Sequence, residues 1–539
     1  MIDKKSWEKY FPYKTPRSQQ IKAINEILCA FKDGKQFFAL EAGTGVGKSA
    51  IAATVAQYLI QNEPQTEGFE KGSLFVTTQK LLQDQYEKDF LRAGMKSIKS
   101  SKNYQCKYKK FNTCSDGQSE LRLQEKGSAY WNACTLNCHY KNAKEEFLKS
   151  HLSVTNFPYL LTESNFNGKI KPRQILVIDE AHNVETELSK FIEISVSERF
   201  TKQVLKTKLP NLSTHHQAFA WIKDIYYPKL SSYMKHVEQT LEKYNKVKEK
   251  LNQFVSLTRQ LQMMEGHYQR LTYFLQVHTK ENWVFEMQKS EIKGLSKLSF
   301  KPIDVSKYAH QYLFRLGYKI LFMSATLIDS NKFFEMVGID KNVSESLHLS
   351  SPFPVKNRPI LYVPIGRMTS KEIDASLPNL ANAIKKILEV HKNEKGIIHT
   401  HSYKIANYLK NKIRSKRILV PNSSNRDEML KKHLNNKKPT VLISPSMTEG
   451  VDLDEDASRF QIICKVPYPF LGDKLVKKRM NKWKWWYPFQ TVKTIIQSVG
   501  RSVRSKDDTA VTYILDAEWD RFYDRNRKLF PDDFRACLR

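Results

Sequence analysis

The stretch QFFALEAGTGVGKSAIAATVAQYLI, residues 36–60, decides the fold. Its first seven residues are a short apolar run that reads as a buried strand, and its last eleven read as a helix. Between them, Ala42-Gly43-Thr44-Gly45-Val46-Gly47-Lys48-Ser49 fits a phosphate-binding loop, except that Ala42 stands where the generic pattern has its first glycine. The glycines let backbone N–H groups close on phosphate oxygens, Lys48 can reach the β and γ phosphates, and Ser49 can hold Mg²⁺. Gly43, Thr44, Gly45, Val46, Gly47, Lys48 and Ser49 are therefore the expected contacts to a nucleoside triphosphate and its metal.

On the N-terminal side, residues 18–31 read as a helix. On the C-terminal side, the strand SLFVTTQ precedes the helix KLLQDQYEKDFL, and QILVIDEA is a near-continuous apolar run of the kind found in parallel sheets covered on both faces. A doubly wound α/β core follows. The tetrapeptide Asp179-Glu180-Ala181-His182 ends that last strand, so its side chains emerge at the carboxyl edge beside the phosphate loop. There Asp179 would hold Mg²⁺ and Glu180 would orient and deprotonate the attacking water.

From Val237 to Leu275 apolar residues recur in steps of three and four, which is helical-hairpin or coiled-coil spacing and marks a helical insertion. The α/β rhythm resumes after Thr326 with RPILYVP, KGIIHTH, TVLISPS and RFQIICKV, so a second α/β domain is expected. At its end, Gln497-Ser498-Val499-Gly500-Arg501-Ser502-Val503-Arg504 sets two arginines one helical turn apart on one face. Their planar guanidinium groups suit the transition-state charge of phosphoryl transfer. Gln497, Arg501 and Arg504 join Asp179 and Glu180 as catalytic candidates.

Composition agrees with a large intracellular machine. A length of 539 residues allows about three or four domains, and 88 Lys and Arg against 56 Asp and Glu leave a formal charge of +32, which attracts polyanions and makes nucleic acid the leading partner. The N-terminus lacks the apolar core of a secretion signal and no stretch is long enough to span a bilayer, so an intracellular protein with no membrane partner is expected. Of the seven cysteines, Cys106, Cys114, Cys134 and Cys138 crowd together with seven, nineteen and three residues between them. A fourfold thiolate set fits either tetrahedral Zn²⁺ or a [4Fe–4S] cluster, and this spacing is neither a zinc ribbon nor a ferredoxin pattern.

AGTGVGKS, DEAH, SATL at Ser324 to Leu327, and QSVGRSVR occur in the order of superfamily 2 helicases, and the cysteine and helical insertions resemble those of the XPD/DinG family. Arg17 and Gln20, the segment Thr77 to Gln85, Ser351-Pro352-Phe353-Pro354 and Glu449-Gly450-Val451-Asp452 match as well, so the resemblance covers nearly the whole chain. It implies a fold of two RecA-like P-loop motor domains, the first interrupted by a small iron–sulphur cluster domain and a helical arch domain. The expected layout is motor domain 1 over residues 1–98, 150–190 and 300–330, a cluster domain over 99–149, an arch over 191–299, and motor domain 2 over 331–539. The resemblance also implies that Arg17 and Gln20 approach the adenine, that His182, Ser324 and Thr326 couple hydrolysis to domain movement, and that Gly450 and Asp452 link nucleic acid to the nucleotide. It favours iron over zinc for the four cysteines, and its motor would be ATP-driven, work on single-stranded and forked duplex DNA, move 5′ to 3′ and unwind. A monomer is expected. The competing expectations are a nucleic-acid remodeller whose ATP site is a switch, and an RNA helicase.

Overall fold

The computed structural model describes residues 3–539 apart from 108–112, 122–123, 137, 245–246, 248–249, 291–294, 423–424, 446–454 and 504. Gly450, Asp452 and Arg504, three of the expected site residues, lie outside the described residues.

The first motor sheet starts with β1 (Phe37–Ala42), β2 (Glu70–Thr77), β3 (Lys96–Ser97), β4 (Leu152–Asn156) and β5 (Arg173–Asp179). All six residues of β1 and the first six of β5 are buried, as continuous apolar strands must be when helices cover both faces. After β5 the chain leaves the sheet to form the second insertion. Here β6 (Ile194–Ser197), β7 (Trp283–Gln288) and β8 (Lys297–Pro302) make an antiparallel sheet in the order β6-β8-β7. Above it stand the helices Tyr227–Tyr244 and Leu251–Val277, whose residues Val237, Leu241, Phe254, Leu261, Met264 and Leu271 are buried as their spacing demands. The arch is thus not purely helical as expected: a three-stranded sheet forms its base and extends to Pro302, beyond the expected limit at 299.

The chain then returns with β9 (Gly317–Ser324) and β10 (Ser344–Leu349), completing a parallel seven-stranded sheet in the order β10-β1-β9-β5-β2-β4-β3. Because β10 pairs with β1 from Phe37 to Ala42, the first motor sheet runs past the expected boundary at 330, and the passage to the second sheet lies between Leu349 and Ile360. The second sheet is parallel and six-stranded, built from β11 (Ile360–Gly366), β12 (Gly396–His399), β13 (Ile418–Leu419), β14 (Val441–Ser444), β15 (Phe460–Ile463) and β16 (Val511–Asp516), in the order β11-β16-β15-β12-β14-β13. No helix is long and apolar enough to cross a membrane among the described residues.

The strand order places the site. Three strands distant in sequence, β1, β9 and β5, are neighbours at the centre of the first sheet, with Glu41 opposite Ser324 and Met323 opposite Asp179. Their carboxyl ends therefore deliver the phosphate loop, the SAT segment and the DEAH segment side by side, where open α/β sheets bind ligands.

The base of the arch is held by an aromatic cluster. Phe300 on β8 is fully buried, with Phe274 of the long helix at 5.1 Å, Phe285 at 5.5 Å and His278 at 5.8 Å between ring centroids. Phe300→Ala removes the ring shared by these partners and should cost about 3–5 kcal/mol. Urea denaturation followed by tryptophan fluorescence, with Trp283 as the local reporter, measures it; an unchanged midpoint would contradict the packing.

Candidate active site

The phosphate loop is shaped by its glycines. Gly45 and Gly47 have φ of 84° and 85°, a region that side chains rarely adopt, and a Cβ on Gly47 would lie 2.4 Å from Gln20 Nε2. Arg17 and Gln20 hold the loop from outside. Arg17 Nη1 donates to Gly45 O at 2.5 Å, Gln20 Nε2 donates to Val46 O at 2.9 Å, and Gln20 Oε1 accepts from Arg17 N at 2.8 Å. Lys48 and Ser49 open the helix Lys48–Asn62, and Lys48 Nζ donates to Ala42 O at 2.9 Å across the loop.

On the neighbouring strand end, Asp179 accepts from Tyr86 Oη at 3.1 Å and from Glu180 N at 2.9 Å. Burial, reinforced by the Glu180 charge, pushes the Asp179 carboxyl up to about 6, while Lys48 opposes the shift. The Tyr86 hydroxyl is pushed up by burial and by Asp179, so it stays protonated as a donor. Glu180 sits in a left-handed turn with φ of 51°, and its carboxylate lies 3.3 Å from His182 Nδ1. That turn swings Glu180 into a cleft of 260 Å³ that Gly43, Thr44, Glu180, His182, Thr326, Gln497 and Arg501 help to line.

His182 is where the two motor domains meet. Its Nδ1 lies 2.8 Å from Ser324 Oγ and 3.5 Å from Thr326 Oγ1, and Gln497 Nε2 reaches its Nε2 at 2.8 Å and Thr326 Oγ1 at 3.4 Å. With the Gln497 amide nitrogen donating to Nε2, the ring carries its proton on Nδ1 and offers it to Ser324. All four residues are buried, so each polar atom here depends on these partners. Gln497 comes from the helix Trp486–Val499, which ends at Gly500. Arg501 therefore follows the helix in a turn, not on its face as expected, and its charge helps depress the buried His399 to about 3, after burial itself and His401.

Several residues at the site carried no signal in the sequence. Glu41, a lone acid in an apolar strand, is buried and accepts from Ile328 N at 2.7 Å while facing His348 Nδ1 at 3.2 Å, tying β1 to the SAT segment and β10; its carboxylate raises the His348 imidazole. Tyr86 falls within an expected helix, but nothing in its spacing marks it as a partner of Asp179. Phe353, in the Ser351–Pro354 segment that the resemblance matched without giving it a role, is buried against Val503 and Ala510 of the second domain, and its ring lies against Gly45, where a Cβ would come within 2.1 Å.

Cys106, Cys114, Cys134 and Cys138 are all buried. Cys114 and Cys138 lie with their sulphurs 3.2 Å apart, and that contact, with burial and the nearby Cys106 and Cys134, pushes the Cys114 thiol up. Cys138 heads the helix His139–Lys149; the thiol contact with Cys114 and the N–H groups of Lys141 and Tyr140 draw it toward the thiolate. Among the described residues, no group of three or more His, Cys, Asp or Glu side chains is arranged to hold a single metal ion.

The geometry defines a class: a two-domain P-loop motor with its nucleotide cleft between parallel sheets. A family described as Helicase C-terminal domain matches residues 384–537, and one described as the res subunit of type III restriction enzyme matches residues 13–209. The ATP-dependent DNA helicase YoaA of Escherichia coli K12 is 26% identical over 41% of this chain and 36% of its own length. The ATP-dependent DNA helicase DinG of Photobacterium profundum is 27% identical over 41% of this chain and 34% of its own length. The chain thus matches about a third of the length of these curated relatives. A solved XPD helicase superimposes with a TM-score of 0.64 at 17% identity, covering 96% of this chain and 98% of that one, and Xpd4 of S. tokodaii with 0.58 at 15% identity, covering 97% and 99%. The chain thus shares the fold of the XPD structures, and its matched segments are similar to those of the DinG and YoaA helicases.

Gln497→Ala leaves the phosphate loop intact but strips His182 Nε2 of its donor, a loss worth about 1–3 kcal/mol for a buried group. Nucleotide affinity should hold while kcat falls. Titration with a fluorescent ADP analogue beside steady-state hydrolysis measures both; a parallel loss of affinity would place Gln497 on the nucleotide instead.

Proposed function

We propose that this chain is an ATP-driven DNA helicase that translocates 5′ to 3′ on single-stranded DNA and unwinds forked duplexes inside the cell, working as a monomer. The observation that carries the proposal is the His182 contact set, because it joins the DEAH and SAT segments of one motor domain to Gln497 of the other at the edge of the nucleotide cleft. Hydrolysis at such a junction changes how the two domains sit on one another, which is how a motor advances.

In this scheme Lys48 leaves Ala42 O for the β and γ phosphates. Ser49 and Asp179 hold Mg²⁺, and Tyr86 and the Glu180 N–H keep the Asp179 carboxylate aimed. Glu180 accepts the proton of the attacking water, and Arg501, with Arg504, meets the charge that develops on the γ phosphate. Arg17 and Gln20 combine the adenine approach with their hold on the loop, and Gly450 and Asp452 serve coupling. The surplus charge of +32 supplies the attraction to the DNA backbone.

The four buried cysteines fit a [4Fe–4S] cluster by their donor set: four thiols removed from water, one drawn toward thiolate by the Cys114 contact and by N–H groups at a helix start. When bound, such a cluster supplies a rigid cross-link for its insertion. Within the insertion Tyr130 donates to Gly117 O at 2.6 Å, and Tyr140, paired with Tyr159 at 3.0 Å, ties it to the first motor domain.

Two experiments test this reading. Anaerobically purified protein should hydrolyse ATP faster with single-stranded DNA than with RNA and should unwind 5′-tailed but not 3′-tailed duplexes. Lys48→Ala should abolish the hydrolysis, and Glu180→Gln should bind ATP yet turn it over poorly; undiminished hydrolysis by Lys48→Ala would sink the assignment. Cys138→Ser should lose iron and unwinding while keeping a substantial part of its basal ATPase. Full unwinding by a metal-free Cys138→Ser protein, or stoichiometric zinc in the wild type, would refute the cluster.

A further inference from the structure

The helix Trp486–Val499 is gripped at both ends. At its C-terminal end Gln497 reaches His182. Just before its N-terminal end stands the helix Lys474–Lys482, whose Arg479 is buried against the first motor domain and the base of the arch. Arg479 Nε donates to Ile303 O at 3.0 Å and its Nη2 to Pro302 O at 3.3 Å, immediately after β8. Its Nη2 also pairs with the carboxylate of Glu185, as an ionic contact and not an aligned hydrogen bond. Trp486 lies 5.8 Å from the guanidinium, and Trp483 and Trp486 enter the same apolar core as Val184, Leu188 and Val305. Lys482 pairs with Asp304 beside it.

Glu185 lies in the helix Val184–Ile192, three residues beyond His182. One short segment of the first domain thus holds Gln497 directly and, through Arg479 and the Trp486 ring beside it, steadies the other end of the helix, eleven residue steps or roughly 17 Å away. Two grips fix the direction of a rod where one leaves it free to swing. Arg501 leaves the end of that rod, so its distance from the phosphate site follows from the direction.

We propose that Glu185 and Arg479 are a positioning pair for phosphoryl transfer: they orient the helix Trp486–Val499 so that Gln497 meets His182 and Arg501 arrives at the nucleotide in register with the DEAH segment. The pair also ties this orientation to the base of the arch through the Pro302 and Ile303 carbonyls. Neither residue touches the nucleotide cleft, and both act through the helix. The inference rests on the hydrolysis described under Proposed function.

The test compares Arg479→Met, Arg479→Lys, Glu185→Gln and the apolar double variant Glu185→Leu with Arg479→Met. The measurements are single-stranded-DNA-stimulated ATP turnover over a range of ATP and the affinity for a fluorescent ADP analogue. Arg479→Met should lower kcat about 100-fold, the scale of a 1 Å misplacement, with KM and analogue affinity unchanged. Glu185→Gln should show the same split, and Arg479→Lys, which keeps the charge without the planar fork, should recover part of the rate. The apolar double variant, which docks without a stranded charge, should turn over faster than Arg479→Met. Wild-type kcat in Arg479→Met overturns the proposal. So does a loss of analogue affinity and circular dichroism in step with kcat, uncorrected in the double variant, because that is the mark of a merely structural contact. Should Arg479→Met fail to fold, Glu185→Gln decides by the same split. A wild-type protein that does not respond to single-stranded DNA would instead overturn the helicase reading itself.

Discussion

The imidazole of His182 faces Ser324 with one nitrogen and Gln497 with the other, at 2.8 Å each, and the rest of the site is arranged around that double contact. The Gln497 amide nitrogen can only donate, so the ring nitrogen it meets accepts, and the identity of the two neighbours sets the hydrogen bonding of the ring. The strand order meets this demand. With β9 between β1 and β5, Ser324 stands beside the end of the DEAH strand although the arch separates them in sequence. The contact then reaches across the cleft to a helix of the second domain, and the alignment of that domain becomes a condition for satisfying a buried ring.

Acidic groups enter this interior only with partners. Asp179 has Tyr86 and a backbone N–H, Glu41 has Ile328 N and His348, and Glu185 has Arg479. A carboxylate withdrawn from water without such company would cost several kcal/mol or take up a proton. The three acids lie on or just after central strands of the first sheet, and their partners come from β10, from the helix after β2 and from the second domain. Charge placement thereby helps to decide which elements pack at the carboxyl edge of the sheet.

Much of this was legible in the sequence because the signals are local. The phosphate loop announces itself by its glycines, β5 by the apolar run Ile175 to Ile178, and the arch hairpin by its spacing. Contacts between distant segments were not legible. The strand β10, SESLHL, buries only Ser344 and Leu349 and has no apolar run, so its pairing with β1 leaves no trace in composition. The base of the arch joins β6, a strand of four residues, to β7 and β8, which lie far beyond it along the chain. Arg479 sits in KLVKKRMNK, where nothing distinguishes the one buried cation from its solvated neighbours. Gln497 was legible as a site residue, but its place on His182 depends on two domains meeting, and Arg501 leaves a turn because Gly500 ends its helix.

The helix Leu251–Val277 has 27 residues and is therefore about 40 Å long, rooted through Phe274 in the aromatic cluster over β8. A rod of that length is a lever arm. Tilting its root by about 5° carries its tip through roughly 3.5 Å, close to the 3.4 Å rise of one nucleotide along a DNA strand. Side-chain shifts of a few tenths of an ångström at the foot of the arch thus become displacements about ten times larger at its far end.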